Sequence, residues 1–167
     1  MKFIKIHHSS SGTEIDVQQY LPYLESIAQE LPLGSRHLCF PFEQNFGFDG
    51  ARSRHDAALL ELQFAEQAGS ATAPQLKATG CKLVMRLGND TKMNLRYVNV
   101  VQYLARKRRT AWPINSYEHG SVVIDEITLT KRGTVLHDWQ LQDARILIEA
   151  EDVAAEFELP EAALTFK

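Results

Sequence analysis

The densest run of side chains able to do chemistry is Arg52-Ser53-Arg54-His55-Asp56. Two guanidinium forks so close together can hold a phosphate or carboxylate bidentately, and a histidine beside them can move a proton. That chemistry belongs to a small-molecule or anion-binding protein, or to a small hydrolase. The same residues also read as a charged loop in which Asp56 pairs with an arginine at the surface for little energy. His137-Asp138-Trp139 raises a related question, because a carboxylate that orients a histidine is half of many acid–base arrangements. On a strand, neighbouring side chains point to opposite faces, which keeps His137 and Asp138 apart.

Six histidines, His7, His8, His37, His55, His119 and His137, are the other place to seek a metal or a base. None forms an HExxH, HxH or Cys/His cluster, so no metal site is expected. Neither GxSxG, SxxK, GxGxxG nor GxxxxGK[ST] occurs, so no catalytic set and no cofactor are expected. Cys39 and Cys81 are too few for a disulfide framework and too isolated for a CxxC pair; they read as small buried apolar residues.

Charge distribution carries more than any motif. Residues 82–109 hold eight cations against one carboxylate, whereas residues 143–161 hold seven carboxylates against one arginine. Three explanations fit. Oppositely charged strands can pair across one sheet face. An acidic strand face bearing Glu156 and Glu158 can steer a protein partner, a basic one fitting best. The basic stretch, interleaved with Tyr97, Tyr103 and Trp112, can contact single-stranded nucleic acid by charge and stacking. The net charge of −3 and a pI near 6.1 weigh against a nucleic-acid or anionic-membrane binder.

These residues need elements to hold them. Residues 1–8 alternate like a strand, Ser9-Ser10-Ser11-Gly12 favours a turn, and an apolar stripe from Val17 to Leu31 predicts a helix that starts at Pro22. Residues 35–56 show no period. Phe40, Phe42, Phe46 and Phe48 there either anchor a long loop onto the core or form an aromatic binding rim. From Ala57 the period becomes two. Leu60, Leu62 and Phe64 form one strand, and residues 83–87 and 93–97 form a hairpin around Gly88-Asn89-Asp90-Thr91. Residues 98–109 fit a helix or a strand, with Val100, Val101 and Tyr103 favouring a strand. Val122 to Leu129 changes apolar phase at Asp125-Glu126, which predicts a bulge there. Three further segments alternate over 135–139, 146–150 and 153–159, the last also fitting a short helix.

At 167 residues, with 44% hydrophobic and 23% charged, one globular domain spanning 1–167 is expected. Its predicted class is mainly β (α+β), an antiparallel sandwich or half-open barrel with an N-terminal helix. No apolar run is long enough to span a bilayer and no secretory core begins the chain, so no membrane partner and a cytoplasmic setting are expected. The expected function is a non-catalytic protein-interaction module of adaptor or toxin-neutralising type, binding through Glu156 and Glu158 and an aromatic loop with Phe46 and Phe48. The alternative is anion binding or hydrolysis by Arg52, Arg54, His55 and Asp56.

Overall fold

A computed structural model describes residues 1–9, 12–46, 52–67, 78–107 and 120–160. The chain begins as a hairpin, β1 (Lys5–Ser9) against β2 (Gly12–Asp16). Three short helices follow: α1 (Tyr20–Ile27), α2 (Leu33–Cys39) and α3 (Phe42–Phe46). Six antiparallel strands come next, β3 (Ala58–Gln67), β4 (Ala78–Arg86), β5 (Lys92–Lys107), β6 (Val122–Leu129), β7 (Val135–Leu141) and β8 (Ala144–Glu158). They form one sheet in the order β3-β4-β5-β8-β7-β6. The protein is mainly β and antiparallel, as the alternation predicts. The only other sheet among the described residues is the β1–β2 hairpin, so the strands do not divide into two facing sheets of similar size.

Period-two burial builds the core. Leu83 and Met85 of β4 stand opposite Leu95 and Met93 of β5, and all four are buried. The predicted turn closes this hairpin, with the Leu87 N–H donating to the Thr91 carbonyl at 2.9 Å. Residues 98–107 continue β5 as strand, and residues 108–109 lie outside the described set. Segments that look separate over 146–150 and 153–159 are one strand, β8, whose buried positions change parity between Ala150 and Val153. The irregularity in β6 falls between Val122 and Ile124, ahead of the predicted site. Asp125 and Glu126 are instead both buried, on opposite sides of the strand.

The helices depart furthest from expectation. Helix α1 starts at Tyr20, two residues before Pro22, which occupies the first turn where a missing N–H costs no hydrogen bond. Residues 33–46, expected as loop from 35 onward, hold α2 and α3. Their cause is remote in sequence. Asp152 of β8 accepts hydrogen bonds from the Gly34 N–H (3.1 Å), the Ser35 N–H (2.9 Å) and the Ser35 hydroxyl (2.6 Å), fixing the start of α2. The approach is so close that a Cβ on Gly34 would collide with the Val153 carbonyl oxygen.

Contacts reach both outer strands of the sheet. The Tyr20 hydroxyl accepts the Ile127 N–H at 2.6 Å and the Tyr23 hydroxyl accepts the Leu129 N–H at 2.8 Å, so α1 caps β6. At the other margin Ala58 of β3 bridges Ser121, and the Val122 N–H donates to the Ala57 carbonyl at 2.8 Å. The Glu126 carboxylate accepts the N–H groups of Lys2, Phe3 and Ile4 at 2.6, 2.7 and 2.8 Å, holding the first residues against the sheet.

Hydrogen bonds to a charged acceptor contribute about 1.5–3 kcal/mol each, though not additively. Glu126→Ala is therefore expected to destabilise the fold by about 3 kcal/mol, read as a lower urea midpoint; an unchanged midpoint would show that this clamp does not matter. Gly34→Ala is expected to lower the same midpoint by forcing α2 off β8, and wild-type stability in that variant would refute the close approach.

Candidate functional site

The structure does not bring the arginine–histidine loop together. Arg52 turns outward, its guanidinium 4.8 Å from the Phe157 ring centre. Arg54 turns inward and is 1% exposed. The His55 Nδ1–H donates to the Val123 carbonyl at 2.9 Å, while its Nε2 lies 3.4 Å from the exposed Asp56 carboxylate. These four side chains share no described cavity. Phe46 packs as core: it stacks on Phe42 (4.9 Å between ring centres), meets Tyr20 edge-on (5.4 Å) and underlies the Arg54 guanidinium (4.3 Å). Phe48 lies outside the described residues.

Glu156 and Glu158 sit on β8 facing β5, where Lys92 pairs with Glu158 and Asn94 with Glu156 in register. Glu156 lies 3.4 Å from Arg96, and Glu158 accepts a hydrogen bond from Asn94 at 2.7 Å. The acidic and basic stretches thus meet each other along this ladder, the first of the three explanations for their polarity.

Arg54 leads to a constellation the sequence did not reveal. Its Nε–H donates to Asp125 Oδ1 at 2.8 Å, and Asp125 Oδ2 lies 2.9 Å from His137 Nε2. His137 Nδ1 lies 2.9 Å from the Tyr97 hydroxyl, which also accepts the Trp139 Nε1–H at 2.9 Å. One proton arrangement satisfies Trp139, Tyr97, His137 and Asp125, while the buried Arg54 Nη2 has no hydrogen-bond partner among the described residues. Trp139 donates to Tyr97, Tyr97 donates to Nδ1 of a neutral His137, and Nε2–H donates to the Asp125 carboxylate. Asp138, as expected, points the other way, to Arg145 at 2.6 Å. The carboxylate that orients His137 comes from the neighbouring strand: Asp125 stands opposite Trp139, diagonal to His137. Only the β6–β7 register places them together.

All five side chains are 0–3% exposed, so the chain is sealed. Burial lowers the His137 pKa, and the opposing pull of Asp125 does not restore it. For Asp125, burial pushes the carboxyl up, but Arg54 and His137 outweigh it and hold it below the ordinary range. Burial pushes the Tyr97 hydroxyl well up. The two thiols are unbridged and buried, each pushed up to about 12 by that burial.

The accessible feature is an edge. Pairing between β4 and β5 ends at Cys81–Tyr97, yet β5 runs on to Lys107, joined on its other side to β8 as far as Ala144. Ten residues, Val98–Lys107, thus have no strand on the β4 side among the described residues. Asn99 sits at the divergence. It adopts a positive φ of 51°, which asparagine tolerates, an extra residue enters β5 between Val100 and Gln102, and its side chain donates to Glu151 at 2.7 Å. A notch of about 350 Å³ opens at the fork, lined in part by Gly80, Cys81, Lys82, Arg96, Val98 and Asn99. Beyond it Val98, Val101, Tyr103 and Leu104 are 48–54% exposed, although Tyr103 also stacks on Phe64 at 3.7 Å.

The sealed chain predicts acid sensitivity. Below its ordinary pKa near 6.5, a histidine in the unfolded protein takes up a proton that His137 resists, so its contribution is full above that pH and is lost on acidification. Asp125 adds a second loss below its ordinary 3.8 as pH falls toward its depressed folded value. Urea midpoints are expected to fall from pH 7 to 5, and His137→Gln to flatten that fall; the same slope in both proteins would contradict the arrangement. Asp125→Asn, which strands Arg54, is expected to cost about 3–5 kcal/mol. Neither a protein-family model nor a curated protein matches this chain, and its functional reading stands on geometry.

Proposed function

We propose that this protein is a non-catalytic protein-interaction module, of adaptor or neutralising type, that captures an extended segment of its partner along β5 from Val98 to Lys107. The observation that carries this reading is that β4 ends its pairing at Tyr97 while β5 continues for ten residues. An open edge offers a row of backbone donors and acceptors, and strand addition uses them for affinity while side-chain pockets supply specificity. Elsewhere the tyrosines of α1 cap β6, and Ala58 at the start of β3 bridges Ser121. Four of the seven most exposed large hydrophobic residues among those described lie on this one edge, a concentration that favours a partner over solvent.

The sealed Tyr97–His137–Asp125–Arg54 chain supports a structural use for the protein's best acid–base set, and with it a non-catalytic reading. The sheet is read as a half-open barrel, its margins meeting at Ala58 and its opening at the β5 edge. Two free buried thiols fit a reducing, cytoplasmic setting.

A photo-crosslinking amino acid at Leu104, installed in the cell of origin, is expected to give one discrete protein adduct. The same probe at Leu33, 64% exposed but on α2, is expected to give none. Val101→Lys should abolish the Leu104 adduct while moving stability by no more than about 0.5 kcal/mol, as exposed substitutions do. No adduct at Leu104, or the same adduct from both positions, would refute the reading.

A further inference from the structure

Resting on that strand-capture reading, we infer that the segment taken up by β5 is a protein strand with an apolar centre and carboxylates at its ends. The charges that β4 and β5 themselves carry have one sign. Strands β4 and β5 carry Lys82, Arg86, Lys92, Arg96, Arg106 and Lys107 and no acidic residue at all. The carboxylates that answer them stand on other strands: Glu61 of β3 lies 3.1 Å from Lys82, and Glu156 of β8 lies 3.4 Å from Arg96. Cations thus stand at both ends of the open edge, Lys82 and Arg96 at the notch and Arg106 at the far end. Between them lie Val98, Val101, Tyr103 and Leu104, about half exposed.

A strand that fits this edge needs about nine residues, roughly 30 Å at about 3.3 Å per residue. Its apolar side chains meet the β5 centre, and one end carries a carboxylate to the notch, where Lys82 and Arg96 are 43% and 65% exposed. Complementary charge of this kind sets register and rejects wrong partners.

The same charges disfavour a second copy. Antiparallel self-pairing that fills the open length sets Val98 opposite Lys107 of the other copy, and so brings Arg106 and Lys107 of that copy toward Arg96. Each strand would bring Arg106 and Lys107 to the other with no carboxylate on either. Like charges on paired strands destabilise them.

Three fluorescein-labelled nonapeptides test the inference by anisotropy against the full-length protein: Glu-Asp-Val-Thr-Val-Tyr-Val-Glu-Asp, the same centre flanked by lysines, and the acidic peptide with its middle valine replaced by proline. The acidic peptide is expected to bind at least tenfold more tightly than the lysine-flanked one at 50 mM salt, with the gap closing at 500 mM. The proline peptide should lose binding. Arg106→Glu combined with Lys107→Glu should narrow or reverse the preference. Equal binding of acidic and lysine-flanked peptides, both lost in Val101→Lys, would overturn the acidic partner yet leave strand capture standing. Binding of none of the three would remove both. Concentration-dependent dimerisation abolished by Val101→Lys would make the occupant a second copy and overturn the inference. Tighter binding of a nine-nucleotide single-stranded RNA than of the acidic peptide would do so in favour of nucleic acid.

Discussion

Asp125 is the constraint around which the rest is arranged. A carboxylate at 1% exposure is costly unless its charge is answered and its oxygens are occupied. Arg54 supplies the charge at 2.8 Å, and His137 occupies the second oxygen at 2.9 Å. Each answer imposes position. Arg54 lies just before β3, so the ion pair ties that strand's entrance to β6, where the Ala58–Ser121 bridge brings the sheet margins together. His137 passes the requirement to Tyr97 on β5, and Tyr97 passes it to Trp139. Four strands or their approaches are thereby held in one register by bonds that fail together if one member is removed.

Tyr97 closes that chain and is also the last residue of β5 paired to β4. The two facts belong together. Up to Tyr97, β5 is fixed on one face by the buried polar chain and on both edges by neighbouring strands. Immediately after it, Asn99 takes a left-handed conformation and β5 parts from β4. The buried polar chain thus ends at the residue where the β4 pairing stops, which places the unpaired stretch beside a well-packed interior. The fold caps its β6 margin with tyrosine hydroxyls and ties the start of β3 to Ser121 by one backbone bridge; the β5 margin presents valines, a tyrosine, a leucine and cations.

The sequence revealed what depends on local alternation. Leu83, Met85, Met93 and Leu95 announce their hairpin, and Val100, Val101 and Tyr103 favour strand where a helix also fits. It could not reveal what depends on register. The His137–Asp138 pair is adjacent in the chain and apart in space, whereas His137 and Asp125 are twelve residues apart and in contact, a relation set by the β6–β7 pairing. Helix α2 was illegible because its N-terminal N–H groups are answered by Asp152, more than a hundred residues away. Arg54 looked like a surface ligand for anions since nothing in Arg52-Ser53-Arg54-His55-Asp56 tells which guanidinium turns inward. The polarity of charge was plain in the sequence; that Glu156 and Glu158 meet β5 was not.

The account turns on whether β5 beyond Tyr97 is open on one side, and residue-resolved amide hydrogen exchange of the free protein reads this directly. Along an edge strand only those N–H groups that point to the neighbour are protected. Slow exchange at every residue from Met93 to Tyr97, giving way to alternating slow and fast exchange from Val98 to Lys107, is the predicted pattern. Uniformly slow exchange from Val98 to Lys107 would mean that this edge is already paired, and the proposed capture of a partner strand would have no place to occur.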